Sequence, residues 1–225
     1  MANYFYVTLD TIGPANPTLT LDGGAIYTAT QLLDAAIGTT DGDTTGYQMK
    51  IWGNVDLAHT AEIQDTEGAS GWLTYQATKQ IKLSSTEGSK TVRLKIRDNV
   101  YNESSEVTDT IILDTSMPVG TIVGPDVSII SEKAGKGTLA FSFQVNEAFV
   151  EYKVKVVGAP GAAHDTGTLI PMAAGSTNMS AVGVFPAGTP INSQIKGTDL
   201  KAASAGDSQK CVKLFVKDTS GNWSV

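Results

Sequence analysis

Lys90-Thr91-Val92-Arg93-Leu94-Lys95-Ile96-Arg97-Asp98-Asn99-Val100-Tyr101-Asn102-Glu103-Ser104 aligns without a gap on Lys210-Cys211-Val212-Lys213-Leu214-Phe215-Val216-Lys217-Asp218-Thr219-Ser220-Gly221-Asn222-Trp223-Ser224. Two further anchors lie upstream. Leu9-Asp10-Thr11 with Pro14 matches Leu113-Asp114-Thr115 with Pro118, and Tyr47-Gln48-Met49-Lys50-Ile51-Trp52-Gly53 matches Tyr152-Lys153-Val154-Lys155-Val156-Val157-Gly158. The offsets of 104, 105 and 120 residues define a unit of about a hundred residues with an insertion in the second copy. That period is domain-sized, far beyond a solenoid or propeller blade. Domain 1 is therefore assigned to residues 1–114 and domain 2 to residues 115–225, with a loop insertion at about 159–205.

Within each copy the anchor stretch alternates strictly. Val92, Leu94 and Ile96 fall on one face and Arg93, Lys95 and Arg97 on the other, the pattern of a half-buried strand. Val212, Leu214 and Val216 should likewise be buried, with Lys213 and Lys217 outside. Tyr47, Met49 and Ile51 repeat the pattern, as do Leu139, Phe141, Phe143 and Val145. The segment Gln31–Ile37 has the composition of a short helix, but its counterpart Leu139–Val145 is strand-like, so a strand is expected. Turn signals such as Gly13-Pro14, Gly23-Gly24, Glu87-Gly88 and Ser220-Gly221-Asn222 separate these runs. Short strands at this spacing predict an all-β chain of two sandwiches.

Composition narrows the function. Apolar residues make up 41% of the 225, with 23 glycines, as in a turn-rich globular protein. No apolar run approaches the ~20 residues of a membrane-spanning helix. The run Met1-Ala2-Asn3-Tyr4-Phe5-Tyr6 has no basic region, hydrophobic stretch or cleavage site, so the expectation is a protein made in a cytoplasm or already trimmed of a signal. Residues 1–114 carry 7 basic against 15 acidic side chains, and residues 115–225 carry 9 against 8. Nucleic-acid binding needs clustered Lys and Arg, so no nucleic-acid partner is expected, nor a membrane one. The single cysteine, Cys211, excludes an internal disulfide framework and aligns with Thr91, which marks it as an ordinary strand residue.

No catalytic residue, cofactor or metal site is expected. His59 and His164 are the only histidines, neither has a counterpart in the other copy, and no Gly-x-Ser-x-Gly elbow is present, so both are read as surface-loop residues. Asp41-Gly42-Asp43-Thr44-Thr45-Gly46 looks like the first half of a calcium loop, but its twelfth position is Trp52 where a bidentate glutamate is needed. The recurring pairs Asp98/Asn102 and Asp218/Asn222 are read as side chains bonding backbone amides within tight turns. Two aromatic residues sit at positions of outward parity. Trp52 shares a face with Lys50 and is the glycan-stacking candidate, since a flat ring stacks on a sugar face. Phe215 stands where the first copy has Lys95, which points either to contact with another protein or to cover by the 159–205 loop.

The Lys90–Ser104 stretch, followed by Val107-Thr108-Asp109-Thr110-Ile111-Ile112-Leu113-Asp114-Thr115 and Pro118, resembles a bacterial and phage immunoglobulin-like repeat family with the pattern K-x-V-x-L-x-V-x-D-x-x-G-N-x-S, then D-T-I-x-L-D-T-x-x-P. The first copy also carries that family's W-x-x-Y pair at Trp72 and Tyr75, which implies core roles for both. Tyr101 departs from the pattern, standing where the family usually has glycine. The resemblance implies two tandem immunoglobulin-like β-sandwiches in a non-enzymatic phage virion protein, decorating or attached to the head or tail surface. Its implied partners are other capsid or tail proteins and, more weakly, host-surface carbohydrate. A fragment of a bacterial cell-surface adhesin and a carbohydrate-binding module of an enzyme are the alternatives.

The ends of the repeat carry a last expectation. The second copy has no counterpart of the strand Val107–Leu113, so domain 2 should lack its final strand, whereas Asn3–Thr11 aligns on Val107–Thr115 and has the sequence of such a strand. Residues 3–9, with Tyr4, Phe5, Tyr6 and Val7 as interface candidates, are expected to pair with the sheet edge of another polypeptide, either a second copy head-to-tail or another virion protein.

Overall fold

The alternating runs fold as strands throughout. The computed structural model describes residues 3–56 and 71–225. The chain divides into two compact units, Met1–Thr115 and Ser116–Val225.

Unit 1 contains β1 (Thr18–Leu21), β2 (Tyr27–Thr28), β3 (Leu32–Gly38), β4 (Gln48–Gly53), β5 (Leu73–Thr74), β6 (Thr78–Lys82), β7 (Gly88–Arg97) and β8 (Val107–Leu113). One sheet runs β1-β3-β6 and the other β2-β8-β7-β4-β5. All pairs are antiparallel except β2 with β8. The ambiguous segment is strand β3, because Leu33, Ala35 and Ile37 share the inward face while Leu32, Asp34 and Ala36 point out. These three meet Leu19, Leu21 and Ile81 of their own sheet and Met49, Ile51, Val92, Leu94, Ile96, Ile111 and Leu113 of the facing one in a single core. The strand β7 keeps the predicted parity: Val92, Leu94 and Ile96 are fully buried, Arg93 is exposed, and Lys95 and Arg97 are half-buried. On the outer side Arg93 pairs with Glu106 and Lys95 with Glu103. Tyr75 joins the edge of this core and donates its hydroxyl to the Ile37 carbonyl at 3.2 Å. Trp72 lies half-buried outside it, against the Arg97 guanidinium 4.4 Å from the ring centroid.

Unit 2 contains β9 (Gly120–Val123), β10 (Thr138–Val145), β11 (Phe149–Val157), β12 (Thr168–Leu169), β13 (Ser180–Phe185), β14 (Ile191–Lys196), the short helix α1 (Gly197–Ala203) and β15 (Cys211–Asp218). Its sheets run β9-β10-β14 and β15-β11, with β12 and β13 sharing the far edge of β11. Phe143, Val145, Phe149, Tyr152, Val154, Ile195, Leu214 and Val216 build the core, with Val212 at its margin. Four rings interlock there: Phe149 stacks on Phe185 at 4.8 Å, and Tyr152 meets Phe143 and Phe185 edge-on at 5.1 and 5.4 Å.

The expectation of a loop over 159–205 is corrected. That stretch holds β12, β13, β14 and α1, and it delivers Ile170, Met179 and Ile195 to the core. Its isolated apolar residues are spaced among Gly, Ala and Ser, so no run announces a strand. Asp199 at the start of α1 ties it together by accepting from the Ala174 and Ser176 amides, each at 2.9 Å.

Candidate functional site

The Asp-x-x-x-Asn-x-Ser turn recurs in both units with closely similar hydrogen bonding. Asp98 Oδ1 accepts from the amides of Val100 and Asn102, both at 2.9 Å, and Oδ2 accepts from Asn102 Nδ2 at 2.9 Å. Asp218 Oδ1 accepts from the amides of Ser220, Gly221 and Asn222 at 2.7–2.8 Å, and Oδ2 from Asn222 Nδ2 at 2.8 Å. Two residues on, Ser104 and Ser224 accept the Ile96 and Val216 amides on their hydroxyls, each at 3.0 Å. Burial pushes the Asp98 carboxyl up, but the bonds from Asn102, Val100 and Tyr101 outweigh it and hold the group below the ordinary carboxylate value. These carboxylates organise hairpins, as the sequence implied. Tyr101 has φ +70°, and its counterpart Gly221 has φ +103°. The unusual tyrosine keeps the left-handed conformation that glycine adopts freely, and its ring stacks on Arg97 at 4.4 Å.

The Asp41–Gly46 segment also spends its carboxylates locally. Asp41 accepts from the Ala15 amide at 3.3 Å and from Tyr47 Oη at 3.0 Å, and Asp43 from the Thr45 amide at 2.9 Å. Burial first, then the bond to Asp41, pushes the Tyr47 phenol up to about 12. A phenol raised on folding stabilises the fold fully below its unfolded value of about 10, and that contribution is lost as pH rises toward the folded value. Tyr47→Phe is therefore expected to remove one step from the loss of stability between about pH 10 and pH 12. Denaturation of both proteins across that range is the check, and identical profiles would refute the assignment.

Two sequence-predicted site residues are corrected. Trp52 does lie on the outer side of β4, opposite Arg93, but it is only 6% exposed, with the Lys50 ammonium 5.8 Å from its ring centroid. A buried ring has no face for a sugar. Phe215 is 0% exposed. Lys155 and Lys213 flank it, their ammoniums 5.9 and 5.0 Å from its ring. Both lysines donate to backbone carbonyls of the 158–167 segment: Lys155 to His164 and Thr166 at 2.8 and 2.9 Å, and Lys213 to Pro160 and Ala162 at 2.6 and 2.8 Å. That segment is thus drawn over the outward face, and cover rather than protein contact accounts for Phe215. His164, in the same segment, stacks flat on Trp223 at 4.6 Å, a pairing that no sequence spacing signals. His59 lies outside the described residues.

The other interface candidates stand clear of both cores. Tyr4, Phe5, Tyr6 and Val7 are all exposed, and among the described residues 3–9 neither form a strand nor make a backbone hydrogen bond. In unit 2, β15 pairs with β11 on one edge, and its other edge carries no strand among the described residues. The sandwich is open along that edge. An apolar groove of about 660 Å³ runs there between the sheets, lined by Ile122, Val127, Ile129 and Phe141 on one side and by Val212 and Leu214 on the other. Ile122, Val127 and Ile129 remain exposed around it. The groove borders the edge of β15 that corresponds to the β8-paired edge of β7 in unit 1.

Two facing, mainly antiparallel sheets, one of three strands and one built on the β4-β7-β8 or β11-β15 ladder, define each unit as an immunoglobulin-like β-sandwich. No protein-family model matches the sequence, and no curated protein does. Among solved structures, the chain is similar to the fibronectin(III)-like modules of Clostridium thermocellum CbhA, with 8% identity and a TM-score of 0.42 over 92% of this chain and 90% of that one. It is also similar to chitinase ChiA74 from Bacillus thuringiensis, with 13% identity and a TM-score of 0.30, over 92% of this chain and 30% of the chitinase.

Proposed function

We propose that this chain is a non-enzymatic structural protein of a phage particle, made in the host cytoplasm, whose two immunoglobulin-like sandwiches decorate or attach to the head or tail surface. The observation that carries the reading is the use of the repeated polar motif. In both copies Asp98/Asn102/Ser104 and Asp218/Asn222/Ser224 are consumed in hairpin hydrogen bonds, so the most specific residues of the sequence serve shape. The resemblance of these motifs to phage and bacterial immunoglobulin-like repeats supplies the setting. Rigid modules of this kind act by spacing and valency, with many copies on a particle amplifying weak contacts. The reading as a carbohydrate-binding module rested on Trp52 and on an unexplained loop, and burial of the ring together with the strands of residues 159–205 removes both supports.

Mass spectrometry of purified virions tests the proposal. The chain is expected among the structural proteins at a fixed stoichiometry. Its absence from particles, with recovery in a bacterial surface fraction, would transfer it to the adhesin class.

A further inference from the structure

The open edge of β15 and the exposed residues 3–9 fit one another. In unit 1 the place beside β7 is filled by β8, with Leu94 opposite Val107, Val92 opposite Asp109, Thr91 opposite Thr110, Lys90 opposite Ile111 and Gly88 opposite Leu113. The offset of 120 maps that row of β7 onto Leu214, Val212 and Cys211 of β15 and, extended toward the N-terminus, onto Lys210 and Ser208 just before that strand. All of these but Cys211 line the groove. The amide and carbonyl of Val216 already point to that side, bonded to Ser224 Oγ and to the Ser224 amide. Alternation along an antiparallel strand turns those of Leu214 and Val212 the same way.

The offset of 104 maps β8 onto the N-terminal segment. The inward row Val107, Asp109, Ile111 and Leu113 becomes Asn3, Phe5, Val7 and Leu9, and the outward row becomes Tyr4, Tyr6 and Thr8. In unit 1, Ile111 and Leu113 seal the core. Phe5, Val7 and Leu9 are instead 86, 82 and 85% exposed. Three apolar side chains on alternate positions of an unpaired segment match an apolar groove beside an unpaired edge.

We propose that residues 3–9 of a second copy of this chain add antiparallel to β15 as its final strand, seating Phe5, Val7 and Leu9 in the groove. Asn3 then lies opposite Leu214, Phe5 opposite Val212, Tyr6 opposite Cys211, Val7 opposite Lys210 and Leu9 opposite Ser208. The contact is heterologous, since the donor and acceptor surfaces differ. It therefore joins copies head-to-tail, and the rotation between successive copies decides between an open chain and a closed ring. The inference stands apart from the virion reading, because it concerns the isolated protein and survives or fails whatever particle the chain is found in.

The native Cys211 makes the register testable in the full chain. Thr91 and Thr110 fall between the bonded pairs of the β7–β8 ladder, where opposed Cα atoms approach to about 4.5 Å, within disulfide range. Tyr6→Cys is expected to oxidise with Cys211 into a ladder of disulfide-linked species on a non-reducing gel. Phe5→Cys and Val7→Cys, facing the groove, are expected to give none. By sedimentation, the mass of the unsubstituted protein should rise with concentration, and the double variant Phe5→Asp/Val7→Asp should lose all association. These residues belong to neither core, so both units stay folded, which an unchanged melting temperature verifies. A full chain that remains monomeric up to its solubility limit overturns the proposal. So does a Tyr6→Cys disulfide formed within one chain, or a ladder equally strong from Phe5→Cys and Val7→Cys.

Discussion

Asp98→Ala and Asp218→Ala are each expected to destabilise their own unit by about 3 kcal/mol, which corresponds to a fall in melting temperature on the order of 10–20 °C for a domain of this size. The magnitude follows from the donors left behind. Asp98 satisfies two backbone amides and one side-chain amide, and Asp218 satisfies three and one. Bonds to a charged acceptor contribute about 1.5–3 kcal/mol each, and water repays part of the loss in a surface turn. The acid side provides a second signature for Asp98. Its folded carboxyl is held below the ordinary value, so the unfolded chain takes up the proton first. The stabilisation is therefore complete above about pH 4 and disappears as pH falls through the folded value, whereas Asp98→Ala should lack that acid-side loss. Thermal melts across this range decide it. A shift below about 3 °C at neutral pH, in either variant, would mean that the turn holds without its carboxylate.

These turns were legible in sequence because one motif carries its own geometry. An Asp that bonds amides two and four residues ahead needs only local spacing, so Asp98–Ser104 and Asp218–Ser224 fold as read. The inward faces of β7 and β15 were legible for a similar reason, since a period of two survives whatever surrounds it. Parity, however, names a face and not its cover. Trp52 and Phe215 were placed on the correct side of their strands, yet both are buried. Cover of Phe215 depends on Lys155 and Lys213 holding the 158–167 backbone, and that is a tertiary fact. The strands β12 and β13 were missed because Thr168-Leu169 is too short for a pattern, and in Ser180–Phe185 the exposed Val182 and Val184 alternate against small Ala181 and Gly183, the reverse of a half-buried strand.

Phe143→Ala is expected to have the other large effect, about 3–5 kcal/mol on unit 2. Phe143 is fully buried on β10, the middle strand of its sheet, opposite Ile191 on one side and Ile122 on the other, and its ring meets Tyr152 at 5.1 Å. Removing it leaves a cavity against Tyr152, whose ring is held in place by Phe149 and Phe185 and has little freedom to collapse into it. Phe141 supplies the comparison. It lies two residues earlier on the same face, but it is half-buried and borders the groove. In protein lacking residues 1–8, Phe141→Ala should cost only about 1–2 kcal/mol, because its ring already faces solvent on one side. In the full chain the same substitution should cost more, since a donated strand would close the groove over that ring. Denaturant unfolding of both substitutions in both backgrounds measures the four values. Equal costs for Phe141→Ala with and without residues 1–8 would show that nothing from the N-terminal segment reaches the groove, while a Phe143→Ala cost below about 2 kcal/mol would contradict the packing of the aromatic core itself.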